Sequence, residues 1–559
     1  MDAAAEPVRA RSAAGASRWP WALGLVAVVL WVNLPVLGFD WLMFDDDINI
    51  LVNPFLGRGA ASTLAWAFQN LDYMRRYLPL GWLGFDALLA IDGYNATVFH
   101  AASWLLSGLN AALAFFVFEK LARSPTNGVV DERVAASRSS FVPALAAAAA
   151  LVWSLHPLRA ENAGWISGLL YLGSTTCALG AVLLHLSREN SSARRARDTG
   201  CGIAASLLYL ASLLVYPVFL ALPALLVVRA ACIAKSARRG ATDEMRRTAS
   251  WWLAAGFAVA MNVFARFTAT DAYAPVASLG ASAGGHAFLG IALTFLHYIA
   301  RTIWPGHVVA FYGATDRLLP PPVAWLIAAA LALAALVLLR RASTRRATLG
   351  WMLAGAISLG PFVVQSSGDF HASDRYAVLW LAVWCAAFVG AARMLDRKNQ
   401  ALLLAAALAA LAFFMPLYRT ALANWRNTAT LQASIDLATA ASPDPGMSFA
   451  RPARAFWWLG NVPESERRLR DGLQRYPQSP RLAETRTSLE ALSARWHERI
   501  GAHTEIPPLA VLHFELGRAW LDRGESRAAA AHFARALTLA PTFADAARAY
   551  REETHDTAR

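Results

Sequence analysis

Long apolar runs separated by short polar segments fill the first three-quarters of the chain. Most of them have the roughly 17–25 residues with which an α-helix crosses a bilayer. They predict eleven membrane-spanning helices, at about 20–38, 97–119, 140–156, 164–186, 200–215, 217–231, 249–268, 322–340, 348–366, 376–393 and 400–417.

Two of these regions allow alternatives. The stretch 200–231 is either two short helices broken at Tyr216-Pro217 or one long tilted helix, and the proline favours the break. Another apolar stretch, 288–304, contains His297, Tyr298 and Arg301. It is predicted as a re-entrant or interfacial helix, with a true span as the alternative.

The first residues, 1–18, are polar and carry several arginines. The apolar run that follows, Trp19 to Phe39, is longer than the hydrophobic part of a signal peptide. The next residues, Asp40-Trp41-Leu42, offer no small-residue cleavage site. We therefore predict a cytoplasmic tail at 1–18, a retained first span and one polytopic membrane domain over 19–417.

The chain changes character after Pro416, where hydropathy drops and about one residue in four is charged. Segment 510–543 carries a tetratricopeptide pattern, with consensus positions occupied by Leu516, Gly517, Trp520, Gly524, Ala529, Phe533, Ala536 and Pro541. A weaker copy aligns on Gly460, Leu469, Gly472 and Pro477, and 480–509 between them is compatible with a degenerate helical pair. The predicted fold class is therefore all-α, with helical repeats over 418–559. Such repeats bind a peptide or protein partner, or simply cap the outer face of the membrane domain.

Composition and charge agree with this division. Of the residues, 57% are hydrophobic and 16% charged, against about 25% charged in a soluble domain. The net charge is +13, and arginine supplies 48 of the 51 basic residues because only three are lysine. Before position 418, 24 of 32 basic residues lie in clusters that share the cytoplasmic side if the N-terminus is cytoplasmic. The charge therefore sets the topology, and a nucleic-acid partner loses its main argument.

Eleven spans place the C-terminus outside. The outer side then holds 39–96, 269–321 and the tail from 418. The preference for arginine over lysine and the alanine-rich composition indicate a bacterial inner membrane with periplasmic repeats. The alternative is the endoplasmic reticulum membrane with lumenal repeats. The four cysteines, Cys177, Cys201, Cys232 and Cys385, match no zinc-binding spacing and are predicted as small apolar fillers.

Three adjacent carboxylates, Asp45, Asp46 and Asp47, stand directly after the first span. Like charges this close raise at least one pKa, which helps a carboxylate to act as a general base. A solvated acidic turn, or the first turn of a helix, explains the triplet without chemistry. A calcium site is a further alternative, although the spacing matches no EF-hand loop.

Further motifs follow the triplet along the chain. They are Asn53-Pro54, Arg58-Gly59, Tyr77-Leu78-Pro79-Leu80-Gly81-Trp82, Phe99-His100, His156-Pro157-Leu158-Arg159-Ala160-Glu161, Trp165-Ile166-Ser167, Trp304-Pro305, Asp374-Arg375-Tyr376 and Trp425. This order resembles bacterial proteins similar to the transmembrane and tetratricopeptide-repeat O-mannosyltransferases. More remotely, it resembles protein O-mannosyltransferases of the GT-C glycosyltransferase fold. The resemblance covers nearly the whole chain.

The resemblance implies transfer of a hexose, such as mannose, from a polyprenyl-phosphate donor on the outer face of the membrane. The acceptor would be Ser/Thr of a protein, or a glycan or lipid. Asp45 is implied as the general base of an inverting reaction, with Asp46 as the second choice. Arg375 would neutralise the leaving phosphate, because arginine binds phosphate with a fork of donors. Its alternative role is an ion pair with Asp374 or Asp369.

The other implied substrate-binding residues are Arg76, Tyr77, His156, Arg159, Glu161 and, among the outer arginines, Arg301. His156 has a helix cap as its alternative role. Glu161 would orient Arg159 or His156, or form a surface ion pair. The resemblance implies no bound cofactor, no metal ligand is assigned, and a metal requirement stays open.

The chain departs from the family at several positions. Leu169-Leu170-Tyr171 stands where relatives often carry Arg and Asp, Val215-Tyr216 stands in place of a Ser-Lys pair, and Ser103 and Ser107 replace common His and Asn residues. These departures imply a different donor sugar, a different acceptor or reduced activity.

Two other classes of protein compete with a glycosyltransferase. One is a membrane-anchored scaffold without catalysis, for which one span would suffice, and the other is a transporter. Transporters usually carry polar residues near the midplane of their spans, whereas polarity here concentrates at the outer ends.

Overall fold

The computed structural model of the 559-residue chain describes most of the sequence. The described residues are 18–123 without 52, 54, 58 and 72; 141–188; 195–233; 240–268; 285–306; 322–363; 372–441; 446–490 without 459 and 488; 506–521; and 526–556. All the regular elements within these stretches are helical, and no strand occurs in them. The predicted all-α class is therefore confirmed.

Helices cover all eleven predicted apolar runs, and further helices lie between them. In chain order they are α1 (Trp19–Asn33), α2 (Ala60–Gln69), α3 (Pro79–Asp92), α4 (Ala96–Arg123), α5 (Val142–Ser154), α6 (Ala160–Gly164), α7 (Leu169–Ser187), α8 (Arg195–Val215), α9 (Leu222–Val228), α10 (Ala241–Arg247), α11 (Ala249–Thr268), α12 (Gly285–Ile303), α13 (Pro322–Arg340), α14 (Ala342–Val363), α15 (Ala377–Ala392) and α16 (Arg397–Ala423). Apolar runs favour helices because a backbone in lipid must satisfy its own hydrogen bonds.

Several of these helical segments have the length and hydropathy of a membrane span. The five that qualify individually are Trp19–Gly38, Ala96–Arg123, Ile166–Ser187, Asp374–Ala392 and Arg397–Ala423. Within the described residues the number rises to eight if each of three bent helix pairs counts as one span. The chain is thus compatible with a multi-pass membrane protein, and the arrangement with eleven spans stays a prediction.

The sharpest bend separates Thr199–Val215 from Pro217–Cys232, which meet at 112°. Pro217 lacks the N–H that would continue α8, and Tyr216 before it has an extended backbone. The predicted break at Tyr216-Pro217 is therefore confirmed, and the alternative of one long tilted helix is wrong. Two milder bends, of 62° and 64°, follow α5 and α10.

Small residues allow close helix packing inside the bundle. A Cβ on Gly108 of α4 would lie 2.9 Å from the side chain of Leu30 in α1. The hydroxyl groups of Ser174 in α7 and Ser212 in α8 are 3.0 Å apart and hydrogen-bonded. On the outside of the bundle, large apolar side chains are exposed; Leu253, for example, is 75% exposed. Such a surface suits contact with lipid tails.

The predicted outer segment 39–96 is folded against the bundle and contains α2 and α3. An aromatic cluster holds it together: the rings of Phe55 and Trp66 stack at 4.7 Å, and those of Tyr73 and Trp82 meet edge to face at 5.7 Å. The Tyr73 hydroxyl donates a hydrogen bond to the carbonyl of Ile48. This cluster therefore fixes the chain directly after the acidic triplet.

The predicted second outer segment, 269–321, contains α12. The Tyr298 hydroxyl donates to the carbonyl of Ser373 at 2.7 Å, and Trp380 Nε1 donates to Thr302 Oγ1 at 2.8 Å. These bonds attach α12 to the start of α15. Helix α12 is not one of the five candidate spans, and the rest of the segment, 269–284 and 307–321, lies outside the described residues.

The C-terminal segment also consists of helices, α17 (Thr428–Ala441), α18 (Arg451–Trp458), α19 (Val462–Arg475), α20 (Pro508–Leu521), α21 (Ser526–Leu539) and α22 (Ala544–Asp556). Helices α18 and α19 pack as one pair and α20 and α21 as another. A Cβ on Gly517 would lie 2.5 Å from the ring of Phe533, and one on Gly472 would lie 2.7 Å from Phe449. These glycines permit close packing in both segments where repeats are predicted. Gly524, and 491–505 of the predicted degenerate pair, lie outside the described residues.

Candidate functional site

The acidic triplet lies in a turn between α1 and α2. From Trp41 to Leu51 every residue except Asp45 is buried. Apolar side chains hold the turn in the core, among them Leu42 and Ile50, which are fully buried. Because the turn is anchored on both sides, its three carboxylates have fixed and very different environments.

Asp46 is completely buried, and both its oxygens accept hydrogen bonds. Oδ1 accepts from the amide and the hydroxyl of Ser167, at 2.9 and 2.6 Å, and Oδ2 accepts from the amide of Leu42 at 3.1 Å. Asn49 Nδ2 donates in turn to Ser167 Oγ at 2.9 Å. Burial raises the pKa of Asp46 to about 8 although these hydrogen bonds oppose the shift. Asp46 therefore anchors the turn to Ser167 and does not face a substrate.

Asp45 has the opposite environment. Its side chain is 18% exposed, and its carboxylate lies 3.8 Å from the guanidinium of Arg451 in α18. Its backbone has a φ of 77°, in the left-handed region that residues other than glycine seldom adopt. Such a conformation costs about 1–3 kcal/mol and is frequent at functional sites. Of the two predicted catalytic aspartates, Asp45 is the accessible one.

Asp47 is buried beside Arg454 of the C-terminal segment. Burial raises the pKa of its carboxyl group, the positive charge of Arg454 opposes that shift, and Asp45 adds to it. Its Oδ1 has no hydrogen-bond partner among the described residues. Asp47 therefore lies behind Asp45 and is not exposed to solvent.

Arg375 is fixed at the start of α15 by Glu161. Its Nη1 donates to Glu161 Oε1 at 2.6 Å, and its backbone amide donates to Oε2 at 2.8 Å. The guanidinium also lies 5.5 Å above the ring of Trp165 and 4.9 Å above that of Tyr376. Glu161 thus pairs with Arg375, and the predictions that it orients Arg159 or His156, or forms a surface ion pair, are wrong. The Glu161 side chain is 2% exposed.

The predicted alternative for Arg375 is an ion pair with Asp374 or Asp369. No ion pair between Arg375 and Asp374 occurs among the described residues, and Asp369 lies outside them. Arg375 instead combines a buried carboxylate partner with two aromatic faces. This fixes a guanidinium in a defined orientation, which suits an anion-binding role.

Arg76 joins the same site from the outer segment. Burial lowers the pKa of its guanidinium, but interactions with Tyr216, Asp45, Tyr171 and Tyr376 more than compensate, so the pKa is raised. Arg76 therefore belongs to one electrostatic cluster with the candidate base and three phenol groups.

Close backbone packing positions this cluster. A Cβ on Gly81, in the first turn of α3, would lie 2.8 Å from the carbonyl oxygen of Val215 at the helix break. The next residue, Tyr216, is held by a hydrogen bond of 2.8 Å from the Ser174 hydroxyl to its carbonyl. Its ring lies 4.6 Å from that of Tyr171. Both tyrosines occupy positions where the sequence departs from the O-mannosyltransferase pattern.

Tyr77 lies beside the cluster and lines an open, largely apolar cavity with residues of α8 and α11, including Leu214 and Phe257. Its amide donates to Asn262 Oδ1 at 3.2 Å, and its hydroxyl donates to the carbonyl of Phe68 at 3.3 Å. Tyr77 therefore borders an apolar groove, while its neighbour Arg76 faces the charged groups.

His156 and Arg159 lie in a different environment. His156 Nδ1 accepts from the amide of Leu158 at 3.2 Å, and Nε2 is 3.2 Å from the carbonyl of Thr302. The alternative prediction of a helix cap is therefore confirmed for His156. Arg159 lies 4.4 Å above the ring of Trp153, and its side chain is buried. The segment Pro157–Arg159 packs against Asp374–Tyr376, but among the described residues no hydrogen bond or ion pair of His156 or Arg159 reaches Asp45 or Arg375.

Sequence reasoning missed several residues of this site. Ser167 and Tyr376 stand in motifs without an assigned role, and Tyr171 and Tyr216 stand out in the sequence only as departures from the family pattern. No local signal marks Arg451, because its partner Asp45 lies in a distant part of the chain. Within the described residues, no group of three or more His, Cys, Asp or Glu side chains is placed to hold a metal ion.

Comparison with known proteins identifies no relative: no family model, no curated protein and no solved structure matches the chain. The geometry of the site is therefore the basis for assigning its chemistry. The described part of the chain defines a helical protein with helices suited to a membrane, in which the partly exposed carboxylate of Asp45 lies 3.8 Å from Arg451 and interacts electrostatically with Arg76.

Proposed function

We propose that the chain is a membrane glycosyltransferase that transfers a hexose, such as mannose, from a polyprenyl-phosphate donor to an acceptor hydroxyl on the outer face of the membrane. The observation that carries this proposal is the accessible Asp45, whose carboxylate lies 3.8 Å from Arg451 and interacts with Arg76, while Arg375 interacts in turn with Arg451. A base and a cluster of cations are the two features that an inverting transfer from a lipid phosphate requires.

In this mechanism Asp45 takes the proton of the acceptor hydroxyl while the hydroxyl oxygen attacks the anomeric carbon. The bond between that carbon and the phosphate oxygen breaks, and polyprenyl phosphate leaves with the electron pair. Attack from the face opposite the phosphate inverts the configuration. Arg375 and Arg76 stabilise the charge that develops on the phosphate, since guanidinium groups bind phosphate with paired donors.

The apolar groove beside Tyr77 supports a lipid-linked donor, because it begins one residue from Arg76. A polyprenyl chain in that groove places its phosphate at the charged cluster. The acceptor is a protein, a glycan or a lipid with a free hydroxyl. The same proposal includes eleven spans, a bacterial inner membrane and periplasmic tetratricopeptide repeats able to bind a peptide.

The competing hypothesis of a membrane-anchored scaffold gives the buried charges no role. Glu161 is nearly inaccessible and pairs with Arg375, and removing such charges from water costs several kcal/mol per ion before the pairing offsets it. An anchor needs neither these charges nor a strained aspartate. The site therefore favours chemistry over anchoring.

The rate of hexose transfer by the Asp45→Asn variant tests the proposal. The purified protein is incubated with radiolabelled polyprenyl-phosphate hexoses and a periplasmic extract as acceptor. Loss of a general base lowers rates by about 10²–10⁴-fold, and we expect a loss in that range. Asparagine tolerates positive φ, so the variant retains the turn.

The matched control is Asp471→Asn, which removes a more exposed carboxylate of α19 paired with Arg467. It should transfer at the wild-type rate. Equal transfer by Asp45→Asn and the wild type would exclude Asp45 as the base. Absence of transfer from every donor tested would reject these donors and with them the proposed activity.

A further inference from the structure

The C-terminal segment contacts the acidic turn at several points. The amide of Met43 donates to Thr428 Oγ1 at 3.1 Å, and the rings of Phe44 and Trp425 meet edge to face at 6.0 Å. Arg451, the first residue of α18, lies 3.8 Å from Asp45. The accessible carboxylate is therefore bounded by residues that follow the last membrane helix.

Arg451 is held in place by an aromatic ring as well as by charge. Its guanidinium lies 4.3 Å above the ring of Phe44, the residue before Asp45. Its side chain is 36% exposed and thus borders solvent. A cation over an aromatic face is stabilised by about 0.5–2 kcal/mol, depending on its desolvation, so the ring fixes the guanidinium beside the carboxylate.

The distance between Arg451 and Asp45 has a chemical consequence. At 3.8 Å the contact is electrostatic and longer than a hydrogen bond. The oxygens of Asp46, by contrast, accept three hydrogen bonds from neighbouring groups. Arg451 therefore orients the Asp45 carboxylate without occupying the lone pair that would accept a substrate proton.

We propose that Arg451 is a positioning residue for the Asp45 carboxylate, so that the C-terminal segment completes the catalytic face of the membrane domain. This inference rests on the proposed function for its catalytic part. Its geometric part, the contact between Arg451 and Asp45, is tested independently of activity.

The geometric test uses Arg451→Lys, which places an amine where the guanidinium lies. A carbodiimide then joins that amine to a carboxylate in contact, with loss of water and formation of an amide. We expect a cross-linked peptide pair containing positions 45 and 451 by mass spectrometry. The same treatment of Arg451→Lys combined with Asp45→Asn should give no such product. Absence of the cross-link in Arg451→Lys alone would overturn the contact and the inference.

The catalytic test compares Arg451→Ala with Arg468→Ala. Arg468 is a matched control in α19, because it also pairs with a carboxylate, Glu464 at 2.8 Å, and lies 5.8 Å above the ring of Phe456. We expect Arg451→Ala to lower kcat at least tenfold with the donor KM changed less than twofold. Arg451→Lys should retain part of the rate, and added guanidinium ion should restore part of it in Arg451→Ala but none in Asp45→Asn.

The outcomes separate the two proposals. A cross-link combined with wild-type kcat in Arg451→Ala would overturn the positioning role and leave the glycosyltransferase proposal standing. A cross-link in a protein that transfers from no donor would overturn the proposed function and the catalytic role of Arg451 together. Equal losses of kcat in Arg451→Ala and Arg468→Ala would reduce Arg451 to a general structural residue.

Discussion

At the scale of single residues, Asp45 and Asp46 are the same side chain in adjacent positions with different environments. Asp45 has a backbone φ of 77° and retains 18% of its side-chain exposure. Asp46 has no exposed surface, and the donors of Ser167 and Leu42 surround it. The sequence identifies the acidic pair, but only the fold decides which member is accessible. Asp45 is therefore the proposed base, and Asp46 anchors the turn.

The raised pKa of Asp46 makes stability depend on pH. Its carboxyl titrates near 3.8 when unfolded and at about 8 when folded, so the folded state binds the proton more tightly. This contribution to stability is complete below pH 3.8 and is lost as the pH rises through 8, by on the order of 5 kcal/mol. We expect the apparent Tm of the wild type in detergent to fall between about pH 5 and 9.

Asp46→Asn should remove this dependence, because an amide does not titrate in that range and resembles the protonated carboxyl group. The wild type and the variant should therefore have the most similar Tm at low pH, and the variant should become the more stable of the two at high pH. Asp471→Asn, at a partly exposed position, should follow the wild-type curve. Parallel curves for the wild type and Asp46→Asn would show that Asp46 does not titrate in this window.

At the scale of secondary structure elements, the approach of α3 to the helix break after α8 assembles the charged cluster. Gly81 makes this approach feasible, since its Cβ would lie 2.6 Å from Leu170 and 2.8 Å from the carbonyl oxygen of Val215. Arg76 precedes α3 in the chain and Tyr216 follows Val215. The position of one helix therefore brings a cation and a phenol group to the same site.

Gly81→Ala should displace α3, since backbone at 2.8 Å cannot move as a flexible side chain does. We expect a loss of about 1–3 kcal/mol in stability, the usual cost of overpacking, together with weaker binding of the lipid donor.

Gly84→Ala is the matched control on the same helix, because no atom lies within 4 Å of the point that a Cβ would occupy there. Alanine at such a position stabilises a helix by up to about 1 kcal/mol. Measured unfolding in detergent should separate the two, and equal effects would show that α3 tolerates a shift.

At the scale of the whole molecule, the sequence predicts the helices well and their partners poorly. Predicted runs such as 97–119 and 322–340 coincide with α4 and α13, because burial in lipid requires long apolar stretches that are visible locally. The contact of Met43 with Thr428 joins residues 385 positions apart, and no periodicity records it. The pairing of Glu161 with Arg375 was missed for the same reason, since each had nearer candidates along the chain.

The C-terminal segment also docks on the outer segment 39–96 through its last helices. The ring of His532 in α21 lies 4.2 Å from that of Tyr94, and its Nδ1 is 3.2 Å from Nδ1 of His513 in α20. Arg535 pairs with Asp40, close to the acidic turn. Two neutral histidines and one ion pair therefore hold the helices that follow α18 against the segment carrying Asp45.

This docking should weaken in acid. Burial lowers the pKa of His532 to about 3. Burial, and repulsion of a protonated His513 by His532 and Arg535, lower the pKa of His513 well below 6.5. Unfolded histidines bind protons below about pH 6.5, whereas the folded state does not bind these protons. The contribution of these histidines to stability is complete above that pH and falls by about 2 kcal/mol per histidine at pH 5.

Hydrogen exchange of α20 and α21, corrected for intrinsic rates, should be faster at about pH 5 than at about pH 7.5. His532→Phe, which keeps a ring beside Tyr94, should reduce that difference, and equal protection of the wild type at both pH values would contradict the prediction.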